Sequence, residues 1–221
     1  MAKATKKNGR RKPKRRFAKS SITREAAING AIKCFLELGY SRSSTIEIAK
    51  MAKISRGAMI YHFPTKKDLL SAALAHINTQ RIQQFADAIR TETKRPDREL
   101  DMTGVDVYWK YVNSPMSIAY TELLMASRTD KQLARLIRSS TKKFEQSFRE
   151  IVQEVFPEWA NKGELLDLAL ALVQFMLEGM ALNRYVHAEG STREKLRDYL
   201  KKSLADIYAD AMDLKSKSPE G

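Results

Sequence analysis

The run Ser55-Arg56-Gly57-Ala58-Met59-Ile60-Tyr61-His62-Phe63 gathers unusual chemistry into about two helical turns. It offers a guanidinium, two side chains too small to hold a surface at a distance, and two flat rings with polar tips. These types suit a polyanion. Arg56 can reach a phosphate or the paired acceptors of guanine, Tyr61 and His62 can contact bases or phosphates, and Gly57 and Ala58 permit close approach. Three residues later Lys66 stands at a helix start, where it can neutralise a phosphate beside the positive helix end. Catalysis has no comparable constellation. The three histidines, His62, His76 and His187, are far apart, and no metal-ligand spacing, nucleophile elbow or phosphate-binding glycine loop occurs. The chain is therefore read as no enzyme, with no cofactor and no metal. The single cysteine, Cys34, cannot form an internal disulfide and falls on an apolar helix face, as a small buried hydrophobe does. A reducing cytoplasm fits that usage.

The elements that must hold this run are legible from periodicity and caps. Ile22, Ala26, Ala27, Ala31, Ile32, Phe35, Leu36 and Leu38 recur at helical spacing, so a helix is expected from near Ile22, ended by Gly39. Ser44-Thr45-Ile46-Glu47 has capping-box spacing, with Ser44 capping and Glu47 reaching back. That helix should run to about Ala52, and after a tight turn at Lys53-Ile54, Ser55 should cap the next. Pro64 stops it, and Thr65-Lys66-Lys67-Asp68 opens a long helix carrying Leu69, Leu70, Ala73, Leu74, Ile77, Ile82, Phe85 and Ile89. Two short helices behind one supporting helix, over residues 44–63, make a helix-turn-helix, whose second helix enters the major groove. Either Met59 or Ile60 must face the head's core, and spacing alone leaves both open. His62 can pack or make contact, and Thr45 can act on DNA or only on its helix's start.

Residues 44–70, with Thr45, Ile48, Ala49, Ala52, Ile54, Ser55, Arg56, Gly57, Phe63, Pro64, Lys66 and Leu69, resemble the DNA-binding head of the TetR family of transcriptional regulators. The resemblance covers about residues 21–80 in pattern. It implies a homodimer with one head per operator half-site, a small-molecule effector pocket in the C-terminal domain, and repression relieved by ligand. Carried over, the DNA contacts are Thr45, Arg56, Gly57, Ala58, Tyr61, His62 and Lys66. Two positions depart from the family pattern. Lys53 stands where a turn glycine is usual, and Ile60 where a phosphate-binding tyrosine is usual, with the adjacent Tyr61 as the candidate replacement.

Charge is uneven. Residues 1–24 hold eleven Lys or Arg and no acid, leaving twenty-nine cations against twenty-six acids for the rest of the 221-residue chain. Residues 1–20 are expected to be a disordered basic arm. Its arginines, Arg15 and Arg16 among them, either enter a minor groove or only strengthen phosphate attraction; the second is favoured. With Phe17 as its one apolar residue beyond Ala and Met, the arm lacks a face for membrane insertion, and no unbroken run of about 18 apolar residues occurs.

Beyond Pro96, caps and prolines punctuate further helices: about 98–112, a start at Ser114-Pro115, Asp130 to about Phe156, about 164–189, and a last one after Ser191 to about Leu214. An all-α fold follows, with a three-helix head (21–80), a helical bundle for ligand and dimer (81–214) and a tail (215–221). The helix from Glu164 is apolar nearly all round, so it needs a second partner, and another copy of the chain is the simplest. Leu168, Leu172 and Phe175, with Leu200, Leu204 and Ile207 of the last helix, are the expected dimer interface. Tyr108, Trp109, Tyr120, Phe144, Phe148, Phe175 and Met176 are candidate pocket walls, each equally readable as plain core. Glu178 is a candidate polar group for the ligand. The function read is a sequence-specific DNA-binding regulator, probed against two rivals: a low-specificity architectural binder of double-stranded DNA, and an activator on the same fold.

Overall fold

A computed structural model of the chain describes residues 13–94, 100–159, 162–186 and 191–216. Those residues are helical with no strand: α1 Pro13–Leu38, α2 Thr45–Met51, α3 Arg56–His62, α4 Lys66–Glu92, α5 Leu100–Val112, α6 Pro115–Ser127, α7 Lys131–Val155, α8 Glu164–Leu182 and α9 Ser191–Ser216, with 3₁₀ turns after α7 and α8. They form two compact units that part between Ala73 and Leu74, inside α4, which therefore belongs to both.

Local side-chain signals set most helix starts. Ser44 Oγ accepts from Glu47 N–H (3.2 Å), and Ser55 Oγ from Ala58 N–H (3.1 Å). Thr65 and Asp68 bond reciprocally, Asp68 N–H to Thr65 Oγ1 and Thr65 N–H to Asp68 Oδ2. Ser114 and Asp130 cap α6 and α7. Only the first box is half made. Ser44 N–H donates to the Arg42 carbonyl, and the Glu47 carboxylate accepts from Lys50 instead.

Two boundaries correct the sequence reading. α1 begins at Pro13, not near Ile22, so 13–20 are helical rather than part of an unfolded arm. Proline suits a helix start because its missing N–H would be unpaired there anyway. Arg15 and Arg16 thus fall on a helix, while residues 1–12 of the expected arm lie outside the described residues. α8 stops at Leu182 rather than 189, where Asn183 Nδ2 donates to the Gly179 carbonyl at 2.8 Å. α8 is also 19 residues with a mean hydropathy of 1.8, long and apolar enough by composition to cross a membrane despite its interrupting acids. In this fold it buries Leu166, Ala169, Leu177 and Ala181 on one side.

In the first unit, Ala27, Ala31, Ile32 and Phe35 of α1 pack with Ile48 and Ala49 of α2, Met59 of α3 and Leu69 and Leu70 of α4. Cys34 is fully buried here, and burial pushes its thiol pKa up. In the second unit Phe85, Tyr108, Tyr111, Phe144 and Phe148 make a continuous aromatic core, with Phe85 and Phe148 centroids 4.6 Å apart.

Candidate nucleic-acid interface and effector cavity

The helix-turn-helix is locked from behind. Gly30 of α1 faces Ala52 so closely that a Cβ on Gly30 would lie 2.6 Å from the Ala52 Cβ. Ser43 is fully buried and donates to the Gly39 carbonyl (2.8 Å), while Arg42 Nε donates to the Leu38 carbonyl (2.8 Å), so the last carbonyl of α1 and the one after it both have partners. The connection from α2 to α3 turns at Lys53, whose φ is 54°, the left-handed region where glycine is favoured. Lysine there costs about 1 kcal/mol. Ile54 N–H closes the turn on the Ala49 carbonyl (3.1 Å).

This scaffold decides which face of α3 looks outward. Met59 is buried and Ile60 is 45% exposed, which settles the choice the spacing left open. Gly57 and Tyr61, one turn apart, are exposed, Tyr61 to 76%, and Arg56 is exposed at the helix start. Ala58 and His62 are half-buried, and the His62 ring stands edge-on to Tyr61 with centroids 5.1 Å apart. Ile60 therefore joins the outward face although the sequence reading omitted it. Its signal was its departure from the tyrosine pattern. An exposed isoleucine in water gains nothing, but against DNA it can meet a thymine methyl. Thr45, first residue of α2, is half-buried. Lys66 holds its ammonium 4.6 Å from the Tyr40 ring centroid, and Arg24 lies over Phe63 at 5.4 Å, which orients both cations at the head's edge.

The second unit contains a cavity of about 680 Å³ of non-atom space, part of it open to solvent. Its wall is almost wholly apolar. Phe85 and Ile89 of α4, Phe148 and Val152 of α7, and Trp159 and Leu166 contribute. Of the expected wall residues, Tyr108 and Phe148 are present and five are elsewhere. Phe175 is 73% exposed, and Met176 packs on the core without reaching the cavity. Trp109 carries the Arg197 guanidinium at 5.6 Å. Tyr120 and Phe144 sandwich Arg81, at 3.8 and 4.2 Å from the ring centroids, which shields a nearly fully buried cation. Arg81 donates to Asn78 Oδ1 (3.1 Å), and Asn78 donates to Ser140 of α7. Beside the cavity wall, Tyr108 donates to the Glu178 carboxylate (3.1 Å). Burial raises the Glu178 pKa, offset in part by the nearby Arg81 charge, and burial raises Tyr108 well above the usual phenol range.

The expected dimer residues also separate. Leu168 and Phe175 are exposed, but Leu200 is fully buried within its own chain and cannot meet a partner. Leu204 lines the cavity, and Leu172 packs on the core. Ile207 is half-buried.

The profile described as "Bacterial regulatory proteins, tetR family" matches residues 27–73, the helix-turn-helix and its supports. An HTH-type transcriptional regulator of Mycobacterium bovis is 25% identical over 175 residues, covering 76% of this chain and 85% of that one. The transcriptional repressor BepR of Brucella suis is 31% identical over 92 residues, covering 42% and 44%. Among solved structures, the multidrug binding protein EbrR complexed with imidazole superposes with a TM-score of 0.59 at 20% identity, covering 83% of this chain and 93% of that one. With the outward face of α3 and the capped helix-turn-helix inside the matched stretch, residues 27–73 of this chain are a DNA-binding head of the TetR family of bacterial regulatory proteins, followed by a second unit with the helical fold of its solved neighbours.

Proposed function

We propose that the chain is a ligand-responsive repressor that acts in the cytoplasm as a homodimer on a palindromic operator. The observation that carries this reading is the exposed face of α3, where Arg56, Gly57, Ile60 and Tyr61 stand outward on a helix anchored by Met59. A helix so mounted can enter a major groove with its N-terminal half toward the bases. Arg56 is assigned to guanine or phosphate, Tyr61 and His62 to bases or phosphates, Lys66 to a phosphate and Thr45 to the backbone near α2.

The cavity supports the effector part of the reading. Its apolar wall suits a flat or irregular apolar molecule, with Tyr108 and Glu178 as the polar group at its edge. EbrR has been solved with imidazole, proflavin and ethidium, small molecules that such a fold can hold. α4 begins beside α3 in sequence and contributes Phe85 and Ile89 to the cavity wall. An effector that prefers one tilt of α4 would change the separation of two heads, which must sit about 34 Å apart to grip successive grooves.

The test is selection of bound genomic fragments followed by competition. A regulator should prefer its selected palindrome over random DNA by about 10³-fold or more. Arg56→Ala should erode that preference. Equal affinity for both DNAs would instead establish the architectural binder that the basic N-terminal segment suits.

A further inference from the structure

α7 carries a feature that neither its core packing nor the effector cavity uses. Between Asp130 and Glu145 the chain has five cations and no acid: Lys131, Arg135, Arg138, Lys142 and Lys143. All five are exposed. At 100° per residue, Lys131, Arg135, Arg138 and Lys142 fall within a wedge of about 60°, opposite the buried line of Leu133, Ile137 and Phe144. The row is about 16 Å long at 1.5 Å per residue. Among the described residues no acid pairs with any of the four; Arg135 Nε reaches only the Lys131 carbonyl (3.4 Å). Further along the helix, Arg149 does find a carboxylate, on Asp167.

This arrangement is costly to the free protein. Like charges four residues apart repel, and cations in the first turns oppose the positive end of the helix. The row's position in its own unit is also defined. Asn78 meets Ser140 and Arg90 meets Glu154, so α7 runs parallel to α4. The basic half of α7 therefore lies at the end of the unit where the chain enters from Ala73.

We propose that this row is a second, sequence-independent DNA contact, which grips the phosphates flanking the operator while α3 reads it. The inference rests on the DNA-binding reading of α3. A duplex strand presents one charge per 3.4 Å of axis, so a 16 Å row of cations can face several phosphates at once. Once a head is bound, flanking phosphates are held at high effective concentration, and a weak contact then adds to affinity without reading a base.

The experiment uses the full chain and compares R135Q/R138Q/K142Q with a control that removes three exposed cations elsewhere, K94Q/K110Q/K202Q. Affinity for a selected site is measured across salt concentrations, on a duplex with long flanks and on one trimmed to the site. On long flanks the slope of log affinity against log salt should flatten by about 0.9 for each phosphate that the α7 variant no longer neutralises, and should not flatten in the control. On trimmed duplex the α7 variant should match wild type. Its preference for site over random DNA should persist, and its thermal midpoint without DNA should hold or rise as the repulsion is removed. Equal slopes for the α7 variant and the control would overturn the proposal, as would a lowered midpoint, which would mark the row as structural. If wild type itself shows no site preference, the regulator reading fails, and a slope difference on long duplex would still stand.

Discussion

Gly57 separates what the fold needs from what a partner needs. Nothing lies within 4 Å of a Cβ built there, and its backbone is not in the left-handed region. The head has no use for glycine at that point, since alanine would favour α3 by roughly 0.5–1 kcal/mol. On the DNA-binding function proposed above, the bare backbone lets a groove come close against α3. Gly57→Ala should therefore raise the thermal midpoint by a few degrees and weaken operator binding about tenfold or more, read by melting and by titration on the selected site. Unchanged affinity would show that α3 does not approach its partner closely at this residue. Glu178 gives a second test, in pH. Its pKa is raised above the usual carboxylate value by burial, so the native state resists its ionisation. The protein is free of that penalty below the unfolded pKa and acquires it as pH rises through the folded value. Glu178→Gln should be as stable as wild type at acid pH and gain on it as pH climbs toward neutral. A constant offset across pH would place the residue in ordinary solvent. At this scale the sequence was only partly readable. Spacing placed Arg56, Gly57 and Tyr61 on α3, but α3 is seven residues long, and two turns cannot say whether Met59 or Ile60 turns inward. Docking against α1 decides that, and docking is not a local property.

At the scale of elements, the helix-turn-helix depends on how near α2 comes to α1. Gly30 sits where a Cβ would be 2.6 Å from the Ala52 Cβ and 2.9 Å from its backbone nitrogen. Backbone on the far side cannot swing away as a flexible side chain would. Gly30→Ala should destabilise the head by roughly 1–3 kcal/mol despite its better helix propensity, because the two helices must part. Hydrogen exchange of α2 and α3 amides should report it, with the second unit's protection unchanged. Protection equal to wild type in α2 would show that the helices can slide apart freely. The same scale explains which boundaries were legible. Ser44, Ser55, Thr65, Ser114 and Asp130 mark starts through bonds to groups two or three residues away, so sequence alone reveals them. The start of α1 at Pro13 and the end of α8 at Leu182 lack so clear a local signal, and both were misplaced. The cavity wall was missed for a related reason. Aromatic and methionine content drew attention to Tyr120, Phe144 and Phe175. The wall itself is made by pairs such as Phe85 with Ile89 and Phe148 with Val152, ordinary core spacings until five helices converge.

For the whole molecule, the issue is what covers α8. Leu168, Phe175 and Leu182 are 50%, 73% and 45% exposed, and they recur every seven residues, so they form one stripe on a helix whose other side is buried in its own core. Burying a side chain of this size is worth about 1.5–3 kcal/mol, so three on each of two chains give a substantial drive to pair. The isologous pairing that two-fold symmetry imposes would set this stripe against its own copy. Phe175→Arg should convert a particle of twice 25.2 kDa into one of 25.2 kDa by light scattering, with helicity and melting cooperativity retained. Operator affinity should collapse with it, because a lone head contacts one half-site and loses the gain from tethering. Leu200→Ala is the informative contrast. Leu200 was expected at the same interface but is fully buried within the chain, so its truncation should cost roughly 2–5 kcal/mol of stability and leave the folded fraction dimeric. If Phe175→Arg stays dimeric, the stripe faces something other than a second copy. If Leu200→Ala alone yields folded monomer, the interface runs through α9, as its sequence first suggested.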